Sequence, residues 1–182
     1  MSNNKTIKSE VGTEAAWRGF STQTLYIAKR LLVAEDDVQL YPERVEDLLI
    51  MKKEKVIELV QVKNLSHDLS LSVLSPKSDD SFFRRCLNYK DNDEICLRIV
   101  SFGSIGQEFQ KMLQSKDKSK SSITDKLLSY GYKEEEVSWL LEHLDIEKVD
   151  EFELEKNIKE ELKKYIEVVA YDLMNDNLIY YI

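Results

Sequence analysis

The sequence is poor in residues that break secondary structure and in residues that cross-link it, with 5 glycines, 2 prolines and 2 cysteines in 182 residues. Few breakers and many Leu, Lys and Glu favour a helix-rich globular fold. Cys86 and Cys96 have no second pair beside them. A disulfide framework or a zinc site is therefore not expected, and both cysteines are predicted to pack as small hydrophobic residues.

Long hydrophobic runs are also missing. No apolar stretch approaches the roughly 18–20 residues that cross a bilayer. The first ten residues, MSNNKTIKSE, are polar and contain no hydrophobic signal segment. We therefore expect a cytoplasmic protein with no membrane association.

The net charge is -8, which argues against a domain that binds nucleic acid by bulk electrostatic attraction alone. The charge is unevenly distributed, however. Basic residues cluster in 77–90 and 111–126, and acidic residues concentrate in 134–161. Two interpretations stay open: a basic working face with an acidic back, or a mixed surface that is simply solvated.

Hydrophobic periodicity predicts an α/β protein with one mixed sheet flanked by helices. Residues 1–12 are interpreted as a disordered lead, 13–114 as an α/β core, 115–122 (SKDKSKSS) as a polar linker, and 123–182 as an entirely helical subdomain packed on the core. The first helix is expected at 13–33, with one apolar face. That face comprises Trp17, Phe20, Thr24, Ile27, Ala28 and Leu31. Strands are expected at 38–41, 47–51, 56–63 and 94–102.

The second and third strands form a predicted hairpin that has a geometric consequence. Side chains alternate along a strand, so Ile57, Leu59, Gln61 and Lys63 are predicted to share one face. If the turn consists of three residues, 53–55, opposed positions sum to 108 and Asp47 lies across from Gln61 on that face. A turn of two residues places Asp47 on the wrong face unless a bulge restores the register.

An acid, an amide oxygen and an ammonium group at the end of one hairpin suit phosphodiester hydrolysis. Asp47 and Gln61 can hold Mg²⁺ or Mn²⁺, which prefer oxygen ligands, and Glu43 can add a second carboxylate. Lys63 can orient the attacking water or stabilise the transition state. Gln23 lies at the margin of the first helix's apolar face and is expected to point toward the sheet. Spacing alone equally allows a solvated strand end with no catalytic role.

Three segments in this order resemble the nuclease domain of Cap4-type effectors, within the PD-(D/E)xK superfamily, and more distantly Mrr-like restriction endonucleases. The segments are AAWRGFSTQ at 15–23, ERVEDL at 43–48 and LVQVKN at 59–64. The resemblance implies a restriction-endonuclease-like mixed sheet with a C-terminal helical subdomain. It assigns Asp47, Gln61, Lys63 and Gln23 as catalytic residues, with Asp47, Gln61 and Glu43 as metal ligands. Gln61 replaces the more usual Glu, which weakens expected metal affinity.

The function implied by this resemblance is Mg²⁺-dependent cleavage of double-stranded DNA in bacterial antiviral defence. A sensor domain or partner subunit outside the chain is then expected, and homo-oligomerisation is possible. Two alternatives stay open from the sequence. One is a catalytically inactive interaction module or subunit of a defence complex, favoured by Gln61 and the net charge. The other is a nuclease acting on RNA or single strands.

Overall fold

The computed structural model describes residues 3–114 and 122–179, with side chains described in 16–114 and 122–167. Within these ranges six helices and five strands follow one another, with two 3-10 turns at Leu71–Leu74 and Leu87–Tyr89. The elements in chain order are α1 (Asn3–Leu32), β1 (Val38–Pro42), β2 (Leu48–Lys52), β3 (Lys55–Lys63), α2 (Phe82–Cys86), β4 (Cys96–Ser101), α3 (Gln107–Gln114), α4 (Ser122–Ser129), α5 (Glu134–His143), β5 (Leu144–Lys148) and α6 (Glu151–Ile179).

The five strands form one mixed sheet in the order β1-β2-β3-β4-β5. β1, β2 and β3 make an antiparallel meander, and β4 and β5 continue it in parallel with β3. β3 is central and buried on both faces, as Leu59 and Val60 show with no exposed surface. The prediction of an α/β protein with a mixed sheet flanked by helices is confirmed.

Each face of the sheet has its own hydrophobic core. One face packs against α2 to α5, and its core contains Leu59, Phe83 and Phe109. The other face packs beneath α1 and α6, and its core contains Tyr26 and Leu154. We call these the broad face and the α1 face. The candidate site described below lies on the broad face.

The apolar face predicted for α1 is confirmed only in part, because Ile27 and Ala28 pack against the core of the α1 face. Trp17, Phe20 and Leu31 are exposed, whereas Thr22 and Tyr26 are fully buried. The predicted helical period is therefore right, but the buried face is centred on Thr22 and Tyr26 instead of on the predicted residues. α1 also begins at Asn3, inside the segment that was interpreted as a disordered lead.

The C-terminal part of the chain is not entirely helical, contrary to the prediction. Residues 144–148 form β5, which joins the sheet beside β4. Their burial alternates, with Leu144 and Ile146 buried and Asp145 and Glu147 partly exposed. The 123–182 segment therefore contributes a strand to the same sheet as the core. Of the predicted linker, residues 115–121 lie outside the described residues, and Ser122 begins α4.

The β2–β3 turn has two residues rather than the predicted three. Lys53 and Glu54 have φ values of 50° and 63°, the left-handed backbone that a two-residue hairpin turn adopts. Lys52 therefore pairs with Lys55.

A bulge then corrects the register. It lies beyond Met51, so that Ile50 pairs with Glu58 and Leu48 pairs with Val60. From the Ile50–Glu58 pair onward, the residue numbers of paired positions sum to 108. A three-residue turn without a bulge would have produced the same sum. The extra residue, Ile57, packs against the core of the α1 face. The prediction that Ile57 shares a face with Leu59 is therefore wrong.

A charged network crosses the α1 face between the sheet and α1. Glu58 is 6% exposed and accepts two hydrogen bonds from Arg30, at 3.0 and 2.6 Å, and another from Arg98. Arg98 also donates to Asp145 at 2.5 Å. Burial alone would raise the pKa of Glu58, but the two guanidinium groups outweigh burial and lower that pKa below its ordinary value. This network ties β3, β4 and β5 to α1.

Candidate catalytic site

The candidate site forms where the hairpin's register places three side chains at one end of the sheet. Asp47 immediately precedes β2, and Gln61 and Lys63 lie at the C-terminal end of β3. Because Leu48 pairs with Val60, Asp47 lies opposite Gln61. The bulge therefore supplies the geometry that the sequence argument required.

Direct hydrogen bonds hold the Asp47 carboxylate in place. Its Oδ2 atom accepts a hydrogen bond from the Val62 backbone N–H at 2.6 Å and another from the Gln61 side-chain amide at 3.2 Å. The β2 pairing ends at Leu48, so the Asp47 side chain satisfies an N–H that the neighbouring strand does not reach. Among the residues that the structure describes, none donates to Oδ1, which leaves that oxygen available for a ligand.

Lys63 is a half-buried lysine at the end of β3. Its backbone pairs with Ser101 of β4. Within the described part of the chain, no carboxylate lies within 4.0 Å of its ammonium group. Burial raises the pKa of Glu46, and the charge of Lys63 opposes this rise more weakly than Arg85 does. An ammonium group without an ion-pair partner in a partly buried position is suited to an anionic ligand.

Glu43 and Gln23 meet each other rather than converging on the Asp47 carboxylate. The Gln23 amide donates a hydrogen bond to the Glu43 carboxylate, and the Glu43 backbone N–H donates to the Asp47 carbonyl at 3.3 Å. Glu43 has φ 54°, a left-handed backbone that is strained for a residue other than glycine. The predicted helix glutamine is thus linked to the site through the 43–47 loop. The catalytic role of Gln23 and the metal role of Glu43 stay predictions.

Sequence reasoning missed Glu46 and Arg85. The Glu46 side chain has no exposed surface and pairs with the Arg85 guanidinium through two hydrogen bonds, at 2.6 and 2.8 Å. Burial raises the pKa of Glu46, although Arg85 opposes the shift. This pair anchors the residue next to Asp47 to α2. Its only sequence signal was a second acid in ERVEDL, since the arginine lies far along the chain.

The oxygen donors at this site fit a hard divalent cation. Asp47 Oδ1 and the Gln61 side-chain carbonyl are the ligand types that Mg²⁺ and Mn²⁺ prefer. In the described ranges no group of three or more His, Cys, Asp or Glu side chains is arranged to hold a metal. A cation here would therefore keep several waters or take oxygen ligands from a substrate phosphate.

The basic residues of 77–90 are largely engaged within the protein. Arg84 lies 3.8 Å over the Tyr132 ring, Lys77 lies 4.8 Å over the Tyr130 ring, and Arg85 pairs with Glu46. From the second predicted cluster, Lys126 pairs with Glu108. These contacts favour the interpretation of a mixed surface over a continuous basic face. The described helices include none with the length and apolarity needed to cross a membrane.

Comparisons with known proteins identify no family for this chain. No family model matches it, and no curated protein does. One solved structure is similar, described as "Structure of Moraxella osloensis Cap4 SAVED/CARF-domain containing receptor". The two chains are 16% identical with a TM-score of 0.49, and the match covers 82% of this chain and 37% of the other.

These findings correct the family assignment made from the sequence. No family model assigns this chain to the Cap4-type nuclease domains. The similar structure is described as a SAVED/CARF-domain containing receptor and not as a nuclease. The assignment is therefore wrong. A likeness at this identity and TM-score carries no functional argument, so the function has to be argued from the contacts of the site.

Proposed function

We propose that this protein hydrolyses phosphodiester bonds of nucleic acid in a divalent-metal-dependent reaction at Asp47, Gln61 and Lys63. One observation carries the proposal. The bulged register of the hairpin brings a carboxylate and an amide together at the end of a buried sheet, next to a lysine that has no ion-pair partner among the described residues. A half-buried ammonium group with no carboxylate beside it is suited to an anionic ligand.

Each residue has a role that its position supports. Asp47 Oδ1 and the Gln61 carbonyl would hold the cation, with the Val62 N–H fixing the carboxylate's orientation. When bound, a divalent cation acts as a Lewis acid toward the phosphate and its attacking water. Lys63 donates a hydrogen bond to a non-bridging phosphate oxygen and stabilises the charge that develops there in the transition state.

The surrounding residues keep this geometry rigid. The Glu46–Arg85 pair holds the 43–47 loop against α2, and the Gln23–Glu43 contact holds the same loop from the α1 side. Catalytic groups must be held within about 0.5 Å of their productive positions to be effective. Contacts at Glu43 and at Glu46 restrain the loop that carries Asp47, which supports a fixed position for its carboxylate.

Cleavage assays test the proposal. Purified protein is incubated with labelled duplex DNA, single-stranded DNA and RNA in Mg²⁺, Mn²⁺ or EDTA. Double-stranded DNA is the predicted substrate, and the other two resolve the nucleic-acid class. Asp47→Asn keeps an acceptor for the Val62 N–H but loses the charge, and Lys63→Ala removes the ammonium group. Each is expected to lower the metal-dependent rate by about 10²–10³-fold.

Matched controls come from the same chain. Asp36→Asn removes an exposed carboxylate from the α1–β1 loop, and Lys55→Ala removes an exposed lysine from the other end of β3. Both controls should cleave at the rate of the unmodified protein. Activity that persists in EDTA, or a lack of cleavage of all three substrates in either metal, would overturn the proposal.

A second candidate function is an interaction module within a larger assembly, without catalysis. The exposed stripe on α1 favours it, since Trp17 is 68% exposed, Phe20 60% and Leu31 64%, and the first two rings stack edge to face. Large exposed apolar residues in a row mark protein contact surfaces. A role in antiviral defence stays a proposal for either candidate.

The two candidates make opposite predictions for metal binding. The interaction module predicts no heat of Mg²⁺ or Mn²⁺ binding by titration calorimetry, and a complex with a co-encoded protein that Trp17→Glu abolishes. Phe152→Glu, which changes a 75% exposed aromatic on α6, is the matched control and should retain the complex. Metal binding that Asp47→Ala removes would count against this candidate.

A further inference from the structure

A groove of about 490 Å³ lies on the broad face of the sheet, the face that also carries the candidate catalytic site. Its floor is apolar and includes Leu49, Met51 and Val56. Leu49 follows Asp47 by two residues along the chain, so both side chains are on the same face of the sheet. The groove therefore begins two residues beyond Asp47, on the same face of the sheet.

Two tyrosines and one arginine line the upper part of this groove. The Arg44 guanidinium lies 5.0 Å from the centre of the Tyr41 ring. Tyr89, from the turn after α2, also lines the groove, and Arg44 opposes the rise that burial causes in the pKa of Tyr89. Arg44 and both tyrosine rings therefore line the same groove. Flat aromatic and guanidinium groups around an apolar floor are suited to a planar ring.

The charges of the groove argue against a phosphate or carboxylate as its occupant. Arg44 supplies one positive charge and Glu54, at the hairpin turn, supplies one negative charge. The two cancel, so an anion gains little on entering. A neutral planar group with polar edges gains stacking contacts and can form hydrogen bonds with Gln39 and Glu54 at the rim.

We propose that this groove binds a single nucleobase of an unpaired nucleotide in the nucleic-acid strand that the Asp47–Lys63 site cleaves. The inference rests on the proposed function. It adds that the substrate presents at least one unstacked base beside the cut, because a paired base inside a duplex cannot enter a groove. Tyr41 and Tyr89 supply the stacking faces, and Arg44 stacks on the base rather than on Tyr41.

Binding measured without catalysis tests the inference. Fluorescence anisotropy in EDTA compares a labelled oligothymidine with an abasic oligomer of the same length, which carries the same phosphates and no bases. The unmodified protein should bind the oligothymidine about tenfold more tightly than the abasic oligomer. Tyr89→Leu should lose this difference, Tyr89→Phe should keep it, and Tyr165→Leu, an exposed tyrosine of α6, is the matched control.

Equal affinity for the two oligomers would overturn the inference, as would a Tyr89→Phe variant that loses the difference as fully as Tyr89→Leu. The comparison of oligomers needs no variant, so a variant that fails to fold leaves the test intact. Failure here is distinguishable from failure of the proposed function. Lys63-dependent cleavage without base-dependent binding would refute only the proposal that the groove binds a base. Base-dependent binding without cleavage would refute only the proposed hydrolysis.

Discussion

Replacement of Glu58 by glutamine should destabilise the protein strongly and in a pH-dependent manner. Among the residues that the structure describes, Glu58 is the one carboxylate that both Arg30 and Arg98 contact. Glutamine has the same shape, so no cavity forms. The substitution removes the negative charge and points an amide N–H group toward guanidinium donors.

The size of the effect follows from the burial of the three partners. Removing one member of a buried ion pair costs about 3–5 kcal/mol, because the remaining charge is left unpaired. Arg98 keeps its hydrogen bond to Asp145, and Arg30 and Arg98 have 24% and 23% of their side chains exposed, so that water can partly solvate them. We therefore expect about 3 kcal/mol, the lower end of that range. For a chain of this size the melting temperature should fall by about 6–12 °C.

The sign of the pH dependence follows from the lowered pKa of Glu58. An acid whose pKa is lower in the folded state stabilises the fold above its unfolded pKa and loses this contribution as the pH falls through its folded pKa. The difference between the unmodified protein and Glu58→Gln should therefore be full at neutral pH. It should shrink as the pH falls below the ordinary glutamate range of about 4.3.

Urea unfolding followed by circular dichroism, at neutral pH and at about pH 3, measures both effects. Glu142→Gln, at an exposed position of α5, is the matched control and should change the free energy of unfolding by less than about 0.5 kcal/mol. The reasoning is refuted if Glu58→Gln costs less than about 1 kcal/mol at neutral pH. It is also refuted if the loss is the same at both pH values.

Two further substitutions test the elements that position the site. Replacing Lys53 and Glu54 with Asn-Gly should stabilise the protein by about 1 kcal/mol, because both positions have left-handed backbone; urea unfolding checks this, and destabilisation would contradict the two-residue turn. Arg85→Ala should destabilise by about 3 kcal/mol by leaving the buried Glu46 carboxylate unpaired. That loss should shrink as the pH falls toward the ordinary glutamate range, because burial raises the pKa of Glu46 and Arg85 no longer opposes the rise in the variant; a pH-independent loss would contradict the pairing.

The convergence of Asp47 and Gln61 could be reasoned from the sequence, because side-chain alternation and a register sum fix which residues oppose each other. The turn that produces the register could not. The segment KKEK contains no glycine or asparagine to indicate a two-residue turn, and nothing marks Ile57 as the extra residue of a bulge. The turn is one residue shorter than predicted, and the bulge adds one residue, so the predicted pairing of Asp47 is still correct. The predicted face of Ile57 is wrong, because Ile57 lies between the turn and the restored register.

Other features were missed for different physical reasons. α1 carries apolar residues on more than one side, and periodicity alone did not show that the buried face is centred on Thr22 and Tyr26. Strand β5 did have a signal, because Leu144 and Ile146 alternate with charged residues, but it is short and lies between helices. The Glu46–Arg85 pair joins residues 39 positions apart, and only the packing of α2 against the loop brings them together.

The most direct test of the proposed hydrolysis is the ratio of Mg²⁺-dependent cleavage rates of Lys55→Ala and Lys63→Ala. Both variants remove one lysine from β3, at opposite ends of the strand. If Lys63 stabilises the phosphate in the transition state, Lys55→Ala should cleave at least about 100-fold faster than Lys63→Ala. Equal rates in the two variants, with both proteins folded, would contradict the site.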